Sequence, residues 1–315
     1  MRSRRVLEQR AAAKAHGVLL KLAPLLALHA CCTSPRAPAP PGGEPPPASQ
    51  PKTTSPAERA RAFLDAQLAS VLADTLQDHS RLLAHFDPEA RVLGAGKIDR
   101  AIRNLRMSIL AQDPHDEVLG AKVASLVAGG NDRVVWLQFE LAIELKAWES
   151  GAGDTSPEGI ARRTVRGSEL LTAESGWTAV AAAFSAPREP EPSQPPFPVA
   201  DPTEPGPLTD LAADPARAAR AVRDDPAVAV VGFGPGDRAT GPAAARALLG
   251  KLGERTPSLL GPPRELRTAD WGLVHANLDL PVAGEALPAR AGVQLLALPD
   301  GRGAWSVVAV HYIAR

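Results

Sequence analysis

The sequence predicts an α+β protein of two tandem domains, each with helices packed on a curved antiparallel sheet. Three observations support this fold class: a repeated closing segment, helix-like stretches before strand-like stretches in both copies, and two proline-rich separators. Residues 176–185 (GWTAVAAAFS) and 304–313 (AWSVVAVHYI) share a small residue, a tryptophan, a polar residue and an apolar run. Copies spaced by about 130 residues are each long enough to bury a core.

Composition narrows the classes of function. The chain has 315 residues, with 35 basic and 35 acidic side chains and no formal net charge. No basic stripe lies in the folded part, so nucleic acid is not an expected partner. Both cysteines, Cys31 and Cys32, precede the folded part. That part therefore has no thiolate for catalysis or metal binding and no disulfide.

The first 30 residues have the pattern of a targeting leader, with a basic start and an apolar run at 17–30. The run is shorter than the roughly 20 residues of a membrane-spanning helix. It ends in Leu28-His29-Ala30-Cys31, which resembles a bacterial lipobox. We therefore expect a lipoprotein-type signal at 1–30, lipid attachment at Cys31, and a cell-envelope protein that faces the periplasm or the surface. The lipid is then its only contact with the membrane; the alternative is a secreted protein.

Two proline-rich segments read as linkers. Residues 33–56 and 187–207 together hold 18 of the 32 prolines. Such segments favour extended, semi-rigid backbone and cannot build a core. We therefore place linkers at 31–57 and 187–207 and the two folded domains at 58–186 and 208–315.

The first domain is predicted to open with a long helix from Pro56 to about Phe86, because its apolar residues mostly follow helical spacing. Asp87-Pro88 ends that helix. A short strand at 90–94 and a second helix at about 97–111 follow. The remaining predicted strands lie at 134–145, 162–172 and 177–185.

Residues 134–145 show the clearest strand pattern in the chain. Apolar residues alternate there with polar ones, among them Gln138, Glu140 and Glu144. Period-two alternation predicts one buried and one wet face. The three polar residues are therefore expected to face water.

The second domain repeats this order with a shorter opening helix at 210–222. A strand at 228–232 and a helix at 241–252 follow. Three closing strands are predicted at 271–280, 289–298 and 305–313, with a turn at Asp300-Gly301. The glycine-rich GFGPGD at 232–237 lacks a phosphate-binding pattern and is interpreted as a turn.

The order of elements resembles the nuclear transport factor 2-like superfamily, most closely its SnoaL-like, cystatin-like and ketosteroid-isomerase-like members. FDPEARVLG at 86–94, the segment 230–249 and the two closing strands carry the resemblance. It covers 58–186 and 208–315. The resemblance implies that each sheet wraps a helix to form a cone, which in some members holds a small apolar ligand and in others serves as a dimerisation module.

The same resemblance argues against isomerase chemistry. In the isomerases the base is a carboxylate at the end of the first short strand, a position that falls on Gly94 and Gly232 here. Neither residue can carry a proton. The tyrosine expected in the first helix is also missing, since Tyr312 in the last strand is the only tyrosine.

Three side chains of the second domain are candidates for a catalytic role: His275, Asp279 and His311. His275 and Asp279 lie on one face of one predicted strand, about 13 Å apart. A His–Asp pair inside a cone can act as a base and its orienting partner. The alternative is that this face is the polar outer face of the sheet. The sequence shows no metal-ligand or cofactor motif, so neither group is expected.

The preferred interpretation is an envelope-anchored or secreted protein with two SnoaL-like domains that binds a ligand or assembles without catalysis. Its domains are expected to pack as an intramolecular pseudo-dimer, or the chain to form a homo-oligomer. The alternative is a small-molecule enzyme of isomerase or cyclase type, or a carrier, that uses a polar pocket in the second domain. Histidines inside the cone favour the alternative, and histidines on the outer face of the sheet favour assembly.

Overall fold

The computed structural model describes residues 54–73, 80–94, 100–101, 117–146, 160–174, 176–191, 196, 199, 201–282, 284–285 and 287–314. Cys31 and most of the first proline-rich linker lie outside these residues. Residues 52–315 form one compact unit that holds two β-sheets. We call the described residues from 54 to 185 the first half and those from 207 to 314 the second half.

The described part of the first half has two helices and six strands. The helices are α1 (Pro56–Ala73) and α2 (Ser80–Leu83). The strands are β1 (Phe86–Gly94), β2 (Arg100–Ala101), β3 (Glu117–Gly130), β4 (Val134–Lys146), β5 (Ile160–Thr172) and β6 (Thr178–Ser185). They form one sheet in the order β2-β1-β6-β5-β4-β3. The strands that come first and last along the chain, β1 and β6, are neighbours in the sheet and pair in parallel.

The second half has three helices and seven strands. The helices are α3 (Pro207–Ala213), α4 (Pro215–Arg220) and α5 (Pro242–Gly253). The strands are β7 (Ala229–Val231), β8 (Arg238–Thr240), β9 (Ser258–Leu259), β10 (Arg264–Arg267), β11 (Gly272–Leu280), β12 (Ala289–Pro299) and β13 (Trp305–Ala314). Their sheet has the order β10-β11-β12-β13-β7-β8, with β9 paired to β11. Here too the first strand, β7, pairs in parallel with the last, β13. The protein is therefore α+β with two mixed sheets.

The opening of the first half differs from the prediction. The helix predicted from Pro56 to about Phe86 is shorter in the structure, because α1 ends at Ala73 and Phe86 is the first residue of β1. Residues 74–79 lie outside the described part. Asp87-Pro88 lies inside β1, where the pairing register with β6 shifts between Phe86 and Arg91. Proline is tolerated at such an irregularity because no ladder hydrogen bond is lost there.

Two further predictions are corrected in the same way. Of the helix predicted at about 97–111, the described residues Arg100 and Ala101 pair with β1 as strand β2. The rest of that segment lies outside the described residues. The helix predicted at 210–222 is divided into α3 and α4 by Asp214-Pro215, where the Asp214 side chain accepts a hydrogen bond from the Arg217 N–H. An aspartate cap followed by proline starts a new helix rather than continuing the old one.

The six long strands predicted from the sequence are found within two residues of their expected bounds, as β4, β5, β6, β11, β12 and β13. Strand β3 and the short strands β8, β9 and β10 were not predicted individually. Strand β3 (EVLGAKVASLVAGG) lacks a regular alternation of apolar and polar residues, because two register shifts interrupt its pairing with β4. A bulge of this kind breaks the strict period of two.

Each sheet is covered by its own helices on one face. In the first half, α1 places Phe63, Leu64 and Leu68 against the odd-numbered side chains of β4. In the second half, α3, α4 and α5 cover side chains of β11, β12 and β13, including Val274 and Tyr312. These two helix–sheet cores contain most of the buried apolar residues.

The opposite faces of the two sheets pack against each other. Trp136 and Leu170 of the first sheet share one buried cluster with Leu296 and Val308 of the second. The Trp136 indole donates to the Ala227 carbonyl at 3.3 Å. The wet face predicted for 134–145 is therefore wrong at Gln138, which is fully buried, while Glu140 and Glu144 are partly buried.

The second proline-rich segment makes contacts at both of its described ends. Glu189 pairs with Arg255 at 3.1 Å. Asp201 pairs with Arg264 of the second half at 3.3 Å and also with Arg91 of the first half. The linker predicted at 187–207 thus joins the last strand of one sheet to the first helix of the next, and its ends are held by ion pairs.

Candidate functional site

The two histidines singled out in the sequence lie on the face of the second sheet that meets the first sheet. Gln294 of β12 is in register with His275 of β11 on one side and with His311 of β13 on the other. All three side chains are fully buried. They therefore form one polar row across three strands, on the face turned away from the helices.

A chain of hydrogen bonds connects this row to the first sheet. The His275 ring donates from Nε2 to Gln294 Oε1 at 2.7 Å, and Gln294 Nε2 donates to Ser168 Oγ at 2.8 Å. The His311 ring lies between two serines of the first half, with Nε2 2.7 Å from Ser185 Oγ and Nδ1 3.2 Å from Ser168 Oγ. Five polar side chains from both halves are thus joined inside the interface.

Burial keeps His311 uncharged. Loss of water around the ring, and secondarily the positive charge of Arg166, lower the pKa of His311 from 6.5 to about 3. A neutral imidazole has one donor and one acceptor nitrogen, and this matches one serine on each side. The geometry therefore suits a structural hydrogen-bond bridge.

Asp279 is not part of this row. Its carboxylate pairs with Arg290 of the neighbouring strand at 3.3 Å, and both side chains are partly exposed. His275 and Asp279 share a face of β11, as predicted, but their partners differ. The three candidate residues are therefore not brought together, and a catalytic role for them stays a prediction.

The distance between Ser185 Oγ and His311 Nε2, 2.7 Å, is typical of a serine nucleophile and its base. The two residues lie in different halves, 126 positions apart in sequence, so no local motif links them. Both are buried between the sheets, at 4% and 0% exposure. A base acts only on a proton within its reach. Because the first sheet covers this face, a substrate does not reach His311. We interpret the contact as structural.

A buried arginine forms a second link between the halves. Arg166 of β5 donates to the carbonyl of Gly234 at 2.9 Å and to that of Pro235, and it pairs with Glu140 at 3.3 Å. Its side chain is 2% exposed. The two carbonyls belong to the GFGPGD segment, which forms the predicted turn between β7 and β8. The Asp237 side chain closes this turn by accepting from the Gly234 N–H.

The two positions that correspond to the catalytic carboxylate of the isomerases, Gly94 and Gly232, lie at the ends of strands β1 and β7. Gly94 is the last residue of β1, and Gly232 directly follows β7. Tyr312 is buried in the helix–sheet core of the second half beside Phe233. Its hydroxyl has no hydrogen-bond partner among the described residues. Burial, and then the charge of Asp214, raise the pKa of Tyr312.

A residue that the sequence analysis did not single out occupies the helix–sheet core of the first half. Glu169 of β5 points into an apolar cleft between α1 and the sheet, together with Gln67 of α1. The cleft has a volume of about 280 Å³, which includes open solvent at its mouth, and its interior leaves room for about one water molecule. Leucine and phenylalanine side chains form its wall.

Glu169 is fully buried, and burial raises the pKa of its carboxyl from 4.5 to about 8, against a smaller opposing effect of the Gln67 amide. Its two oxygens and Gln67 Nε2 have no hydrogen-bond partner of acceptable geometry among the described residues. The sequence carried a signal for it: in β5, Glu169 shares the parity of Val165 and Leu171, two core residues. An acidic residue on an apolar strand face is uncommon unless it has a role.

The described ranges hold neither a metal-binding cluster nor a helix long and apolar enough to span a membrane. They contain no group of three or more His, Cys, Asp and Glu side chains arranged to hold a metal ion. None of their helices combines the length and hydropathy needed to cross a bilayer.

The fold and these sites define an α+β protein with two mixed sheets packed face to face. No protein-family model and no curated protein sequence matches the chain. Solved structures resemble parts of the fold.

A putative calcium/calmodulin-dependent kinase II association domain from Exiguobacterium sibiricum is 10% identical, with 45% of this chain and 100% of that chain covered and a TM-score of 0.34. An NTF2-like protein from Cytophaga hutchinsonii is 8% identical, over 41% of this chain and 96% of that one, with a TM-score of 0.32. A ketosteroid isomerase-like protein from Erwinia carotovora atroseptica is 11% identical, over 40% and 92%, with a TM-score of 0.32. Each match spans less than half of this chain, and scores at this level assign no family.

Proposed function

We propose that this protein is a non-catalytic assembly module of the bacterial cell envelope, in which two SnoaL-like halves pair with each other as an intramolecular pseudo-dimer. The observation that supports the proposal is the buried row His275–Gln294–His311, whose hydrogen bonds reach Ser168 and Ser185 of the other sheet. The polar side chains best suited to catalysis in the second half are used to join the halves.

The chemistry of this interface favours assembly over an active site. A substrate must reach both the base and the group it activates, and the row is covered by the first sheet on its open side. Buried polar groups also cost free energy unless each finds a partner. The serines of the first half supply those partners only when the two sheets are in one register. The polar row therefore favours one pairing of the sheets over sliding alternatives.

The pairing can be tested with a double-mutant cycle on Ser185→Ala and His311→Phe. We expect a coupling energy of about 1 kcal/mol in the free energy of unfolding, because the buried Ser185–His311 hydrogen bond is lost in either variant. The bond from His311 to Ser168 is lost in both variants that carry His311→Phe, so it cancels in the cycle. A control cycle of His311→Phe with Asp210→Ala, whose partner is Arg217, should show no coupling beyond about 0.5 kcal/mol. Light scattering should give the mass of one chain, 32.9 kDa for the full sequence. Absence of coupling, or a two-chain mass, would contradict intramolecular pairing.

The envelope location is a separate part of the proposal and rests on the Leu28–Cys31 pattern. We expect the full-length chain to incorporate labelled palmitate in a bacterial host, because the lipid is attached at the cysteine that ends the apolar run. Cys31→Ala should remove the label, and Cys32→Ala, its direct neighbour, should keep it. Label that survives Cys31→Ala would refute lipid attachment at this residue.

A further inference from the structure

Two arginines, one from each half, converge on the end of the second proline-rich segment. The side chains of Arg91 in β1 and Arg264 in β10 are only 8% and 12% exposed. Both donate to the same carboxylate oxygen, Asp201 Oδ2, and the Arg264 Nη1 atom lies 3.3 Å from it. The Asp201 side chain is itself 70% exposed. The segment therefore places one exposed carboxylate over two cations that are otherwise buried.

One edge of the Arg91 guanidinium is only half used. Its Nη2 donates to Asp201 Oδ2, while the adjacent Nε is buried and has no hydrogen-bond partner among the described residues. The N–H groups on this edge form a fork that fits two oxygens of one anion side by side. A buried donor that lacks an acceptor is destabilising. The fork therefore suits an anion that presents more oxygens to it than Asp201 does.

The Asp201 side chain can leave the arginines while the segment stays attached. Thr203, two positions later, donates its N–H to the Pro263 carbonyl at 2.8 Å, and its Oγ1 accepts from the Glu265 N–H at 2.8 Å. These bonds hold the segment beside β10 independently of the carboxylate. Asp201 also has a φ of 48°, a left-handed conformation that most residues other than glycine avoid. The carboxylate is thus a displaceable cover on the arginine pair.

Charge and geometry distinguish the anions that could replace this carboxylate. A free monocarboxylate brings the same charge as Asp201 and must compete with a group that its own chain holds at an effective concentration in the millimolar range. A phosphate monoester carries about 1.5 to 2 negative charges at pH 7 and three strong acceptor oxygens. It therefore brings more charge and more acceptors to the two guanidinium groups than a carboxylate can.

We propose that Arg91 and Arg264 form a binding site for a phosphate monoester, which displaces the Asp201 carboxylate, fills the Arg91 fork with two oxygens and offers the third to Arg264. Asp201 is then an internal competitor that keeps the site closed when phosphate is scarce. The inference goes beyond assembly, because a contact that only joined the halves would need no external anion. Hydrogen bonds and ion pairs are exchanged, and no covalent bond changes.

The test is calorimetric titration of the full chain with inorganic phosphate at pH 7, for the natural protein and for Asp201→Asn. The variant keeps the size of the exposed side chain and removes its charge. We expect it to bind phosphate at least about tenfold more tightly, because the competing ion pairs are lost. Acetate should bind the variant at least about tenfold more weakly than phosphate does, since it brings one charge. Equal phosphate affinities of the two proteins, or no binding to Asp201→Asn, would overturn the proposal.

Further variants, made in the Asp201→Asn protein, test the role of the fork. Arg91→Lys keeps the positive charge and loses the fork, so phosphate binding should weaken about tenfold. Arg162→Lys is the matched control, because this arginine of β5 is 82% exposed and pairs with Glu144 instead. It should leave the affinity unchanged. Circular dichroism verifies that each variant is folded, and full phosphate affinity in a folded Arg91→Lys protein would refute the assignment.

A phosphate monoester has two sources, a soluble compound and a lipid headgroup, and vesicles separate them. Asp201→Asn protein is sedimented with phosphatidylcholine vesicles that contain or lack phosphatidic acid, whose headgroup is a phosphate monoester. Sedimentation that needs both phosphatidic acid and Arg91 would assign a lipid source. Calorimetric binding of phosphate without sedimentation would assign a soluble one. Both results support the arginine site, whereas absence of both kinds of binding would overturn it.

This outcome is distinguishable from failure of the assembly proposal. Pairing of the halves is measured by the coupling of Ser185 and His311, whose hydrogen bond involves neither arginine. Absence of phosphate binding with that coupling intact would remove the anion site alone. Absence of coupling with phosphate binding intact would remove the pairing through the polar row alone.

Discussion

Replacing Arg166 by alanine is expected to lower the free energy of unfolding by about 3 kcal/mol, because the buried guanidinium donates to two carbonyls and pairs with a carboxylate that is itself only partly buried. The guanidinium reaches across the interface to the Gly234 and Pro235 carbonyls and also pairs with Glu140. Without it, Glu140 is left beside the interface without its ion-pair partner, and two turn carbonyls lose a charged donor. Urea unfolding followed by circular dichroism gives the difference.

Arg162 provides the matched control on the same strand and the same face. It pairs with Glu144 at 3.0 Å, but its side chain is 82% exposed. Exposed ion pairs contribute little, so Arg162→Ala should change stability by no more than about 1 kcal/mol. If the two alanine variants were equally stable, Arg166 would not link the two sheets in the way described.

The stability of the protein should be greatest between about pH 4.5 and 6.5 and fall on both sides. Glu169 and His311, both fully buried, determine this shape with opposite signs. The pKa of Glu169 rises on folding from 4.5 to about 8, and that of His311 falls from 6.5 to about 3. Each group changes the free energy of unfolding by at most about 1.4 kcal/mol per pH unit.

The signs follow from which state binds the proton. Glu169 stays protonated in the folded protein, so its contribution is complete below pH 4.5 and is lost as the pH rises towards 8. His311 stays neutral in the folded protein, so its contribution is complete above pH 6.5 and is lost as the pH falls towards 3. Between 4.5 and 6.5 the two slopes oppose each other, which gives the plateau. The pKa of Asp237 lies below its ordinary value, because Lys251 and the Gly234 N–H outweigh the opposing effect of burial, and this steepens the acid side.

Chemical denaturation at pH 5, 6.5 and 8 tests the assignment. Glu169→Gln should remove the alkaline fall, so its stability relative to the natural protein should increase from pH 5 to pH 8. Glu174→Gln, an exposed neighbour, should follow the natural protein at every pH. An alkaline fall of the same slope in Glu169→Gln would show that another group causes it.

The long strands could be predicted because alternation reports directly which side chains face a core. Leu137, Phe139 and Leu141 alternate with the polar residues Gln138 and Glu140, and β4 lies where this pattern placed it. The helices of the first half were harder to predict. The same apolar residues fit a helix or a strand near Phe86, and only the pairing of β1 with β6 decides between them.

The candidate site could be predicted only as a set of residue types. His275 and His311 were identified because, with Asp279, they lie on predicted strands and a His–Asp pair can act as a base and its orienting partner. The sequence left open which side of the sheet they face. Their partners, Ser168 and Ser185, are more than 120 positions from His311 in the chain. A polar residue on the outer face of a strand looks the same in sequence whether water or a second sheet covers it.

The sequence by itself determined the α+β class, the six long strands, the turn at 232–237 and the absence of a carboxylate at Gly94 and Gly232. Those features depend on neighbours in the chain, through side-chain period and backbone preference. The tertiary structure decided that Gln138 and His311 are buried between two sheets, and that Glu169 lies beside Gln67 in an apolar cleft. Burial of a strand face is a property of whatever packs on it, and here that partner comes from the other half of the chain.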